Sequence, residues 1–248
     1  MQSFTIETPI WTDLCNQFGQ ITLPGLIQLT LRTSEAHEHQ YADMRTYMEA
    51  HKLGWIITAN QMTIHRLPKF SESVRVVTEI ADANQFFTFR KFQILDKHEN
   101  LLVEVITTFS LLHLDTRRIA RTPDIFLSWY ELPNQRSKYR QLRLPKSLSS
   151  VSQTKTYYVQ FLDIDGNGHV NNAVYFRWLS NALGLEWFKK YREKRVTISY
   201  NKEALLGESV TVNTEMVTKG GEVTTLHAIT DYQGELHSMI EVQWEERK

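Results

Sequence analysis

The sequence has 248 residues, of which 42% are hydrophobic and 23% are charged, as is typical of a globular protein with one large or two ordinary domains. Lysine plus arginine and aspartate plus glutamate both number 28, so no net charge indicates nucleic acid or a membrane surface as a partner. The single cysteine, Cys15, excludes an intrachain disulfide framework and a cysteine-rich zinc site. The chain begins without a signal-peptide pattern, and no apolar run reaches the roughly 18 to 20 residues that a membrane span needs. We therefore expect a cytoplasmic protein without a membrane span.

The first half of the chain predicts one helix followed by a series of strands. The helix is expected over residues 22–39, because Thr22 can cap it and the leucines that follow make it apolar on most sides. Residues 41–52 have no clear type. Alternating and β-branched runs predict strands at 55–65, 74–80, 86–95 and 101–114, with a hairpin connection at 96–100.

The second half repeats this order. Residues 133–152 are polar and basic with little periodicity, which predicts a linker between a domain at 1–132 and one at 153–248. A helix is then expected at 170–189, and strands at 196–200, 209–217, 223–232 and 236–244. The similarity of ESVRVVTE (72–79) to ESVTVNTE (208–215) favours a duplication. One long helix followed by antiparallel strands, twice, predicts an α+β fold in which a sheet wraps a buried helix.

The most unusual stretch is DIDGNGHVNN, residues 163–172, which runs directly into an apolar segment with a helical period. Asp165, Asn167 and His169 alternate along it, and its two glycines allow unusual backbone angles. Because the first turn of a helix has free N–H groups and a positive dipole end, such a helix start can stabilise an oxyanion. A carboxylate or imidazole beside it can act as a general base on water. This combination predicts hydrolysis of an activated acyl group.

Metal sites and nucleophilic side chains fit this loop less well. The loop opens like an EF-hand calcium loop, but Val174 stands where the bidentate glutamate is required. A zinc site would need a third ligand, and no second histidine lies at ligand spacing. Cys15 is distant in the sequence, and no Gly-x-Ser-x-Gly motif supplies a nucleophilic serine. We therefore expect no metal and no cofactor.

The segment 165–172, followed by Tyr175 and Trp178, resembles the catalytic segment of acyl-acyl carrier protein thioesterases. The resemblance covers the whole chain in order and includes residues 54–58 and 62–68 in the first half. It implies two tandem hot-dog domains, each a long helix wrapped by an antiparallel sheet. It also implies hydrolysis of the thioester of acyl-acyl carrier protein, which releases free fatty acid in fatty acid biosynthesis.

The resemblance implies four catalytic residues. The aspartate, asparagine and histidine of the family fall on Asp165, Asn167 and His169. The glutamate of the family lies on the strand segment after the helix and falls on Glu203, whereas Ala204 stands where many relatives carry a cysteine. Asn167 and the helix N-terminus would hold the thioester carbonyl, and Asp165 would orient the network or assist attack. Whether Glu203 or His169 activates water stays open.

Each of these residues also has a structural alternative. Asp165 could close a turn or cap the helix, and Asn167 could tolerate a left-handed backbone conformation. His169 alone would more often be structural, and Glu203 alone would be an ordinary surface carboxylate. Asp163 and the asparagines at 171–172 are expected to hold the loop and the helix start through backbone hydrogen bonds.

The first half is expected to lack a counterpart to the loop, because residues 16–22 contain neither histidine nor aspartate. One active site per chain, in the second domain, is therefore predicted. The first domain would supply apolar walls for the acyl chain, with the helical residues 26–31 and Trp55 as candidates.

Two alternatives stay open at this point: an acyl-CoA thioesterase of the same fold, and a non-catalytic acyl-thioester-binding regulator. The regulator is disfavoured because no basic helix-turn-helix segment is present, and no nucleic-acid partner is expected. A homodimer is optional. Two basic groups could dock the acidic carrier protein by electrostatic steering: Arg136, Lys138, Arg140, Arg143 and Lys146, and Lys189, Lys190, Arg192, Lys194 and Arg195.

Overall fold

The computed structural model describes residues 3–132, 139–140 and 142–247. The chain divides into two compact units, Met1–Asn60 with His65–Leu142, and Gln61–Ile64 with Arg143–Lys248. The predicted linker at 133–152 falls partly outside the described residues, so its boundaries stay a prediction. Among the described residues, no helix combines the length and apolar character that crossing a membrane requires.

The first unit is an antiparallel sheet with one long helix packed on it. Its helices are α1 (Leu23–Glu38), α2 (Ala42–Ala50) and α3 (Asp124–Trp129). Its strands are β1 (Phe4–Pro9), most of β2 (Leu53–Ile64), β3 (Ser73–Ala83), β4 (Thr88–Leu95), β5 (Leu101–His113) and β6 (Arg118–Ala120); the last four residues of β2 belong to the second unit. The strand order is β1-β3-β4-β5-β2 with β6 paired to β5, and α1 packs against β1 and β3.

The second unit repeats this arrangement. Its helices are α4 (Asn172–Leu183) and α5 (Leu185–Lys190). Its strands are β7 (Gln153–Tyr158), β8 (Tyr191–Tyr200), β9 (Ser209–Lys219), β10 (Glu222–Thr230) and β11 (Leu236–Glu246). The order β7-β9-β10-β11-β8 is that of β1-β3-β4-β5-β2, and α4 packs against β7 and β9 as α1 packs against β1 and β3.

The start of α1 follows from its sequence. Thr22 Oγ1 accepts the N–H group of Gly25 at 3.0 Å, and a proline occupies the first turn. Leu26, Ile27 and Leu29 are almost fully buried. The predicted capped, enclosed helix is therefore confirmed, because the sheet that it packs against removes its apolar side chains from water.

The predicted single helix at 170–189 is wrong at its start and in its middle, whereas its predicted end lies within one residue of the end of α5 at Lys190. Asn171 caps α4, which begins two residues later than expected and ends before Gly184. The φ angle of Gly184 is 78°, in the left-handed region that glycine adopts readily, and α5 begins only after it. Strand β8 then begins at Tyr191, earlier than the predicted start at 196.

Other differences arise where turns and short elements carry little pattern. The strand expected at 86–95 begins at Thr88, because Asn84 Oδ1 accepts the N–H groups of Phe86 at 3.0 Å and Phe87 at 2.9 Å and closes a turn there. The segment of unclear type at 41–52 contains helix α2. The short elements β1, β6 and α3 were not predicted.

The core of the second unit contains a fully buried histidine. The Nδ1 atom of His227 lies 2.9 Å from Thr214 Oγ1, and its Nε2 atom lies 2.8 Å from Thr225 Oγ1. Trp244 Nε1 donates to Thr225 Oγ1 at 2.8 Å. Because a hydroxyl group can donate or accept, the two threonines satisfy both nitrogens of a neutral ring. Burial lowers the pKa of His227 from 6.5 to about 3.

The low pKa of His227 leads us to predict that the protein loses stability in acid. Between pH 6.5 and about 3, His227 binds a proton in the unfolded state but not in the folded state, so the unfolding free energy decreases as the pH falls. From roughly pH 6 to pH 4, we expect the unfolding free energy of the wild type to decrease by about 1.4 kcal/mol per pH unit more than that of His227→Gln. Chemical denaturation followed by tryptophan fluorescence measures this difference. Equal pH slopes in both proteins would contradict the prediction.

Candidate active site

The loop that precedes α4 folds around the side chain of Asp165. Its Oδ1 atom accepts the N–H groups of Asn167 at 2.8 Å and of His169 at 3.4 Å. The N–H group of Asp165 donates to the carbonyl oxygen of His169 at 2.9 Å, and Gly168, at φ 83°, donates to the carbonyl oxygen of Asp165 at 3.0 Å. One carboxylate oxygen of Asp165 therefore closes the turn, which is the structural role that the sequence offers as the alternative to catalysis.

Neighbouring polar residues attach the loop to α4. Asn171 Oδ1 accepts the N–H group of Ala173 at 2.9 Å and caps the helix. Asp163 is almost fully buried, accepts the N–H group of Gln160 at 3.0 Å, and forms an ion pair with Arg177 of α4. Asp163 and Asn171 thus have the structural roles expected of them.

The segment after β8 brings Glu203 to this loop. The N–H group of Val170 donates to the carbonyl oxygen of Ala204 at 3.0 Å, which ties the two segments together. Beside that bond, Glu203 Oε2 lies 3.1 Å from His169 Nε2. The side chains of His169 and Glu203 are 22% and 42% exposed, so water can reach the pair. Asn167 is exposed on the same loop, and Asp165 is half-buried.

This arrangement can activate water in either of two ways. Because a carboxylate only accepts hydrogen bonds, Nε2 of His169 carries the proton in its contact with Glu203. A neutral imidazole then has Nδ1 as its acceptor nitrogen, whereas the carboxylate keeps further lone pairs. Both groups can therefore take a proton from water, and the choice between His169 and Glu203 stays open.

The helix start offers fewer donors than the sequence predicts. Asn171 accepts the N–H group of Ala173 with its side chain and that of Val174 with its carbonyl oxygen, at 2.9 Å in both cases. These N–H groups are consequently engaged within the capping turn. Asn167, a member of the predicted set, is exposed on the same loop, and its side-chain amide is a hydrogen-bond donor.

The first unit contains the same loop in its backbone. Asn16 Oδ1 accepts the N–H groups of Phe18 at 2.9 Å and Gln20 at 3.2 Å. The N–H group of Asn16 donates to the carbonyl oxygen of Gln20, and Gly19 donates to the carbonyl oxygen of Asn16, both at 2.9 Å. The expectation that the first half lacks a counterpart is therefore wrong for the backbone, because asparagine closes this turn as well as aspartate does.

The side chains at the equivalent positions of the two loops nevertheless differ. The N–H group of Ile21 donates to the carbonyl oxygen of Pro68 at 2.9 Å, as Val170 donates to Ala204. At the positions of His169 and Glu203, the first unit has Gln20 and Leu67. These replacements support one active site per chain.

Aromatic side chains line the helix beside the site. The ring of Tyr175 lies 5.3 Å from the rings of both Trp178 and Tyr200, measured between centroids. Burial raises the pKa of Tyr175, so its phenol is neutral next to the Glu203 segment. The hydroxyl group of Tyr200, to which the sequence assigned no role, donates to the carbonyl oxygen of Asn172 at 3.2 Å and so braces the helix start.

The two basic groups differ in what the structure says of them. Arg136 and Lys138 of the first group lie outside the described residues. Three cations of the second group form ion pairs at N–O distances of 2.6 to 3.8 Å: Lys189 with Glu186, Arg192 with Glu245 and Lys190 with Glu246. Much of the positive charge of this group is thus neutralised by carboxylates of its own unit.

Curated relatives are similar to this chain over part of their own length. A chloroplastic acyl-[acyl-carrier-protein] hydrolase of Cuphea viscosissima is 24% identical over 158 residues, which cover 60% of this chain and 38% of the relative. A dodecanoyl-[acyl-carrier-protein] hydrolase of Umbellularia californica is 23% identical over 166 residues, which cover 63% and 43%. The chain thus aligns with less than half of the length of these two relatives.

Solved structures match over the whole chain. A provisionally named oleoyl thioesterase from Lactobacillus plantarum has a TM-score of 0.89 and 27% identity, covering 100% of this chain and 97% of that one. The 12:0-ACP thioesterase from Umbellularia californica has a TM-score of 0.86 and 16% identity, covering 99% and 94%. The predicted α+β fold of tandem hot-dog domains, each with a long helix on an antiparallel sheet, is confirmed.

Family models cover most of the sequence. Residues 2–130 match the acyl-ACP thioesterase N-terminal domain. Residues 146–246 match the acyl-ACP thioesterase C-terminal domain, which contains the loop, α4 and the Glu203 segment. The chain therefore belongs to the acyl-ACP thioesterase family.

Proposed function

We propose that this chain hydrolyses the thioester of acyl-acyl carrier protein and releases the free fatty acid. The observation that carries the proposal is the 3.1 Å contact between His169 Nε2 and Glu203 Oε2 in the unit matched by the C-terminal domain of the family. Relatives named as acyl-[acyl-carrier-protein] hydrolases support the substrate class. The cytoplasmic location, a homodimer and carrier docking on a basic group stay predictions.

The proposed reaction needs only the side chains described above. Water attacks the thioester carbonyl carbon while Glu203 or His169 takes its proton. The side-chain amide of Asn167 donates a hydrogen bond to the oxyanion that forms, and Asp165 holds the loop from which Asn167 and His169 project. The carbon–sulfur bond then breaks, the acid product leaves, and the proton passes to the sulfur of the carrier.

The acyl chain would lie against apolar surface of the first domain, which is the second part of the proposal. Leu26, Ile27 and Leu29 of α1 are buried within the first unit. The ring of Trp55 packs against Phe109 and Phe126 at centroid distances of 6.1 and 5.9 Å. These apolar side chains are the candidates for walls of an acyl site, and this role stays a prediction.

The carrier preference distinguishes the proposed activity from its alternatives. The purified chain is assayed with one acyl group on acyl carrier protein and on coenzyme A, and the release of fatty acid and thiol is measured. We expect kcat/KM to be at least about tenfold higher with the carrier protein, a difference of about 1.4 kcal/mol. A preference for coenzyme A would favour the acyl-CoA thioesterase, and tight binding without hydrolysis would favour the regulator.

Replacing either partner of the central pair tests the assignment directly. Glu203→Gln removes the carboxylate charge, and His169→Gln installs the residue that Gln20 provides in the equivalent loop. General-base catalysis contributes about 10²- to 10⁴-fold to the rate. We therefore expect kcat of each variant to decrease by a factor of about 10² to 10⁴ relative to the wild type. Glu186→Gln, at an exposed ion pair with Lys189, serves as the control and should keep wild-type turnover. Wild-type turnover in both site variants would contradict the assignment of His169 and Glu203 as catalytic residues.

Asp165→Asn separates the structural from the chemical role of this residue. The variant keeps Oδ1 as an acceptor, and Asn16 already closes the same turn in the first unit, so we expect the unfolding free energy to change by less than about 0.5 kcal/mol. Loss of the charge should lower kcat by about tenfold or more. Urea denaturation and steady-state kinetics measure the two effects. An unchanged kcat in Asp165→Asn, with a reduced kcat in Asp165→Ala, would show that Asp165 only shapes the loop.

A further inference from the structure

The segment that carries Glu203 is attached to strand β11 at His237. The N–H groups of Asn201 and Lys202 both donate to the carbonyl oxygen of His237, at 2.8 and 3.2 Å. In return, Nδ1 of the His237 ring lies 3.3 Å from the carbonyl oxygen of Lys202, the residue immediately before Glu203. Because a carbonyl oxygen only accepts, Nδ1 is the donor in this contact. One residue thus holds the segment with both its backbone and its side chain.

The ring of His237 lowers the stability of the fold at this position. It is 0% exposed, and within the described part of the chain its Nε2 atom makes no hydrogen bond. A carboxylate oxygen of Asp231 lies 3.8 Å from Nε2, beyond hydrogen-bond distance. A buried polar atom without a hydrogen bond lowers stability, so an apolar side chain would suit a purely structural position better.

The first unit shows that the backbone attachment does not require histidine. There the N–H groups of His65 and Arg66 donate to the carbonyl oxygen of Leu102, at 2.9 and 3.2 Å, in the same pattern. Leu102 is buried at the position equivalent to that of His237. The next residue along the segment is Leu67, which stands in the place of Glu203. Histidine is therefore present in the unit that has the glutamate, and leucine in the unit that lacks it.

Lys202 fixes the same segment to the β10–β11 hairpin. Its Nζ atom lies 2.5 Å from Glu235 Oε2 and 3.4 Å from Asp231 Oδ2. In the first unit the equivalent Arg66 pairs with Glu72 instead, at 2.6 Å. The segment before Glu203 is thus held by the hairpin in addition to the backbone bonds that both units share.

We propose that His237 is a positioning residue for Glu203. Its ring holds the carbonyl oxygen of Lys202 and thereby fixes the backbone from which the Glu203 carboxylate reaches His169. The inference rests on the proposed function, in which Glu203 acts in thioester hydrolysis. Because a displacement of about 1 Å in a catalytic group can lower turnover strongly, the effect of His237 falls on kcat and leaves the affinity for the acyl carrier unchanged.

Three substitutions of His237 test this role. His237→Leu installs the side chain that the first unit has at this position, so the fold should accept it. We expect its kcat to fall about tenfold, with KM unchanged and the melting temperature equal or higher. His237→Asn places an amide nitrogen near the position of Nδ1 and should recover kcat to within about threefold of the wild type. His237→Gln extends its amide towards Nε2 and should not recover it. Equal kcat values for the Asn and Gln variants would overturn the proposal, even if the Leu variant failed to fold.

A double-mutant cycle separates positioning from general damage. If His237 acts through Glu203, then His237→Leu should not lower kcat any further in a Glu203→Gln background. The matched control His227→Gln, at another buried histidine, should change kcat by the same factor in both backgrounds. Additive losses for His237→Leu, or wild-type kcat in that variant, would overturn the positioning role alone. Wild-type turnover in Glu203→Gln would overturn the proposed function itself, and the two failures are therefore distinguishable.

Discussion

The hydrogen bond between the Val170 N–H group and the Ala204 carbonyl oxygen joins two segments that are separated by the helices α4 and α5 and the strand β8. The candidate site depends on it, because His169 immediately precedes the donor and Glu203 immediately precedes the acceptor. The carboxylate and the imidazole meet at 3.1 Å as a consequence of this backbone contact. Their proximity therefore belongs to the fold and does not need a strong attraction between two partly exposed side chains.

The two units separate what the fold contributes from what the side chains contribute. Both close the same loop before the long helix and tie it to the segment after the strand through an N–H···O=C bond of similar length. Only the second unit combines this backbone with a carboxylate and an imidazole. The first unit retains the scaffold with apolar or amide side chains. The proposed function thus depends on a few side chains on a backbone arrangement that both units share.

The buried histidines show how surroundings determine what an imidazole can do. His227 bonds to threonine hydroxyl groups on both sides, and burial lowers its pKa to about 3, so it remains a neutral part of the core. His169 is partly exposed and faces a carboxylate, where proton transfer with water is feasible. His237 is as buried as His227, but it lacks a second hydrogen bond within the described residues and contacts the segment of Glu203.

The sequence by itself determined the elements whose signals are local. Thr22 and the leucines after it predicted the start and burial of α1, and alternating apolar residues predicted most strands, because capping and period depend on neighbours in the chain. The break at Gly184 was missed, because glycine also occurs within helices and only the backbone angle shows the interruption. Asp165, Asn167 and His169 could be singled out from their crowding in one loop.

Glu203 had no such signal, and it entered the predicted site through a family resemblance. Only the tertiary structure decided the position of Glu203. The pairing of β8 with β11 and the hydrogen bond from the Val170 N–H group to Ala204 place the segment that carries Glu203 next to the loop. The loop of the first unit likewise became evident only in the structure. Its side chains differ from those of the second-unit loop, but its backbone groups make the same pattern of hydrogen bonds. Local sequence specifies caps and periods, whereas contacts between distant segments depend on strand pairing, which the residues at either end do not encode on their own.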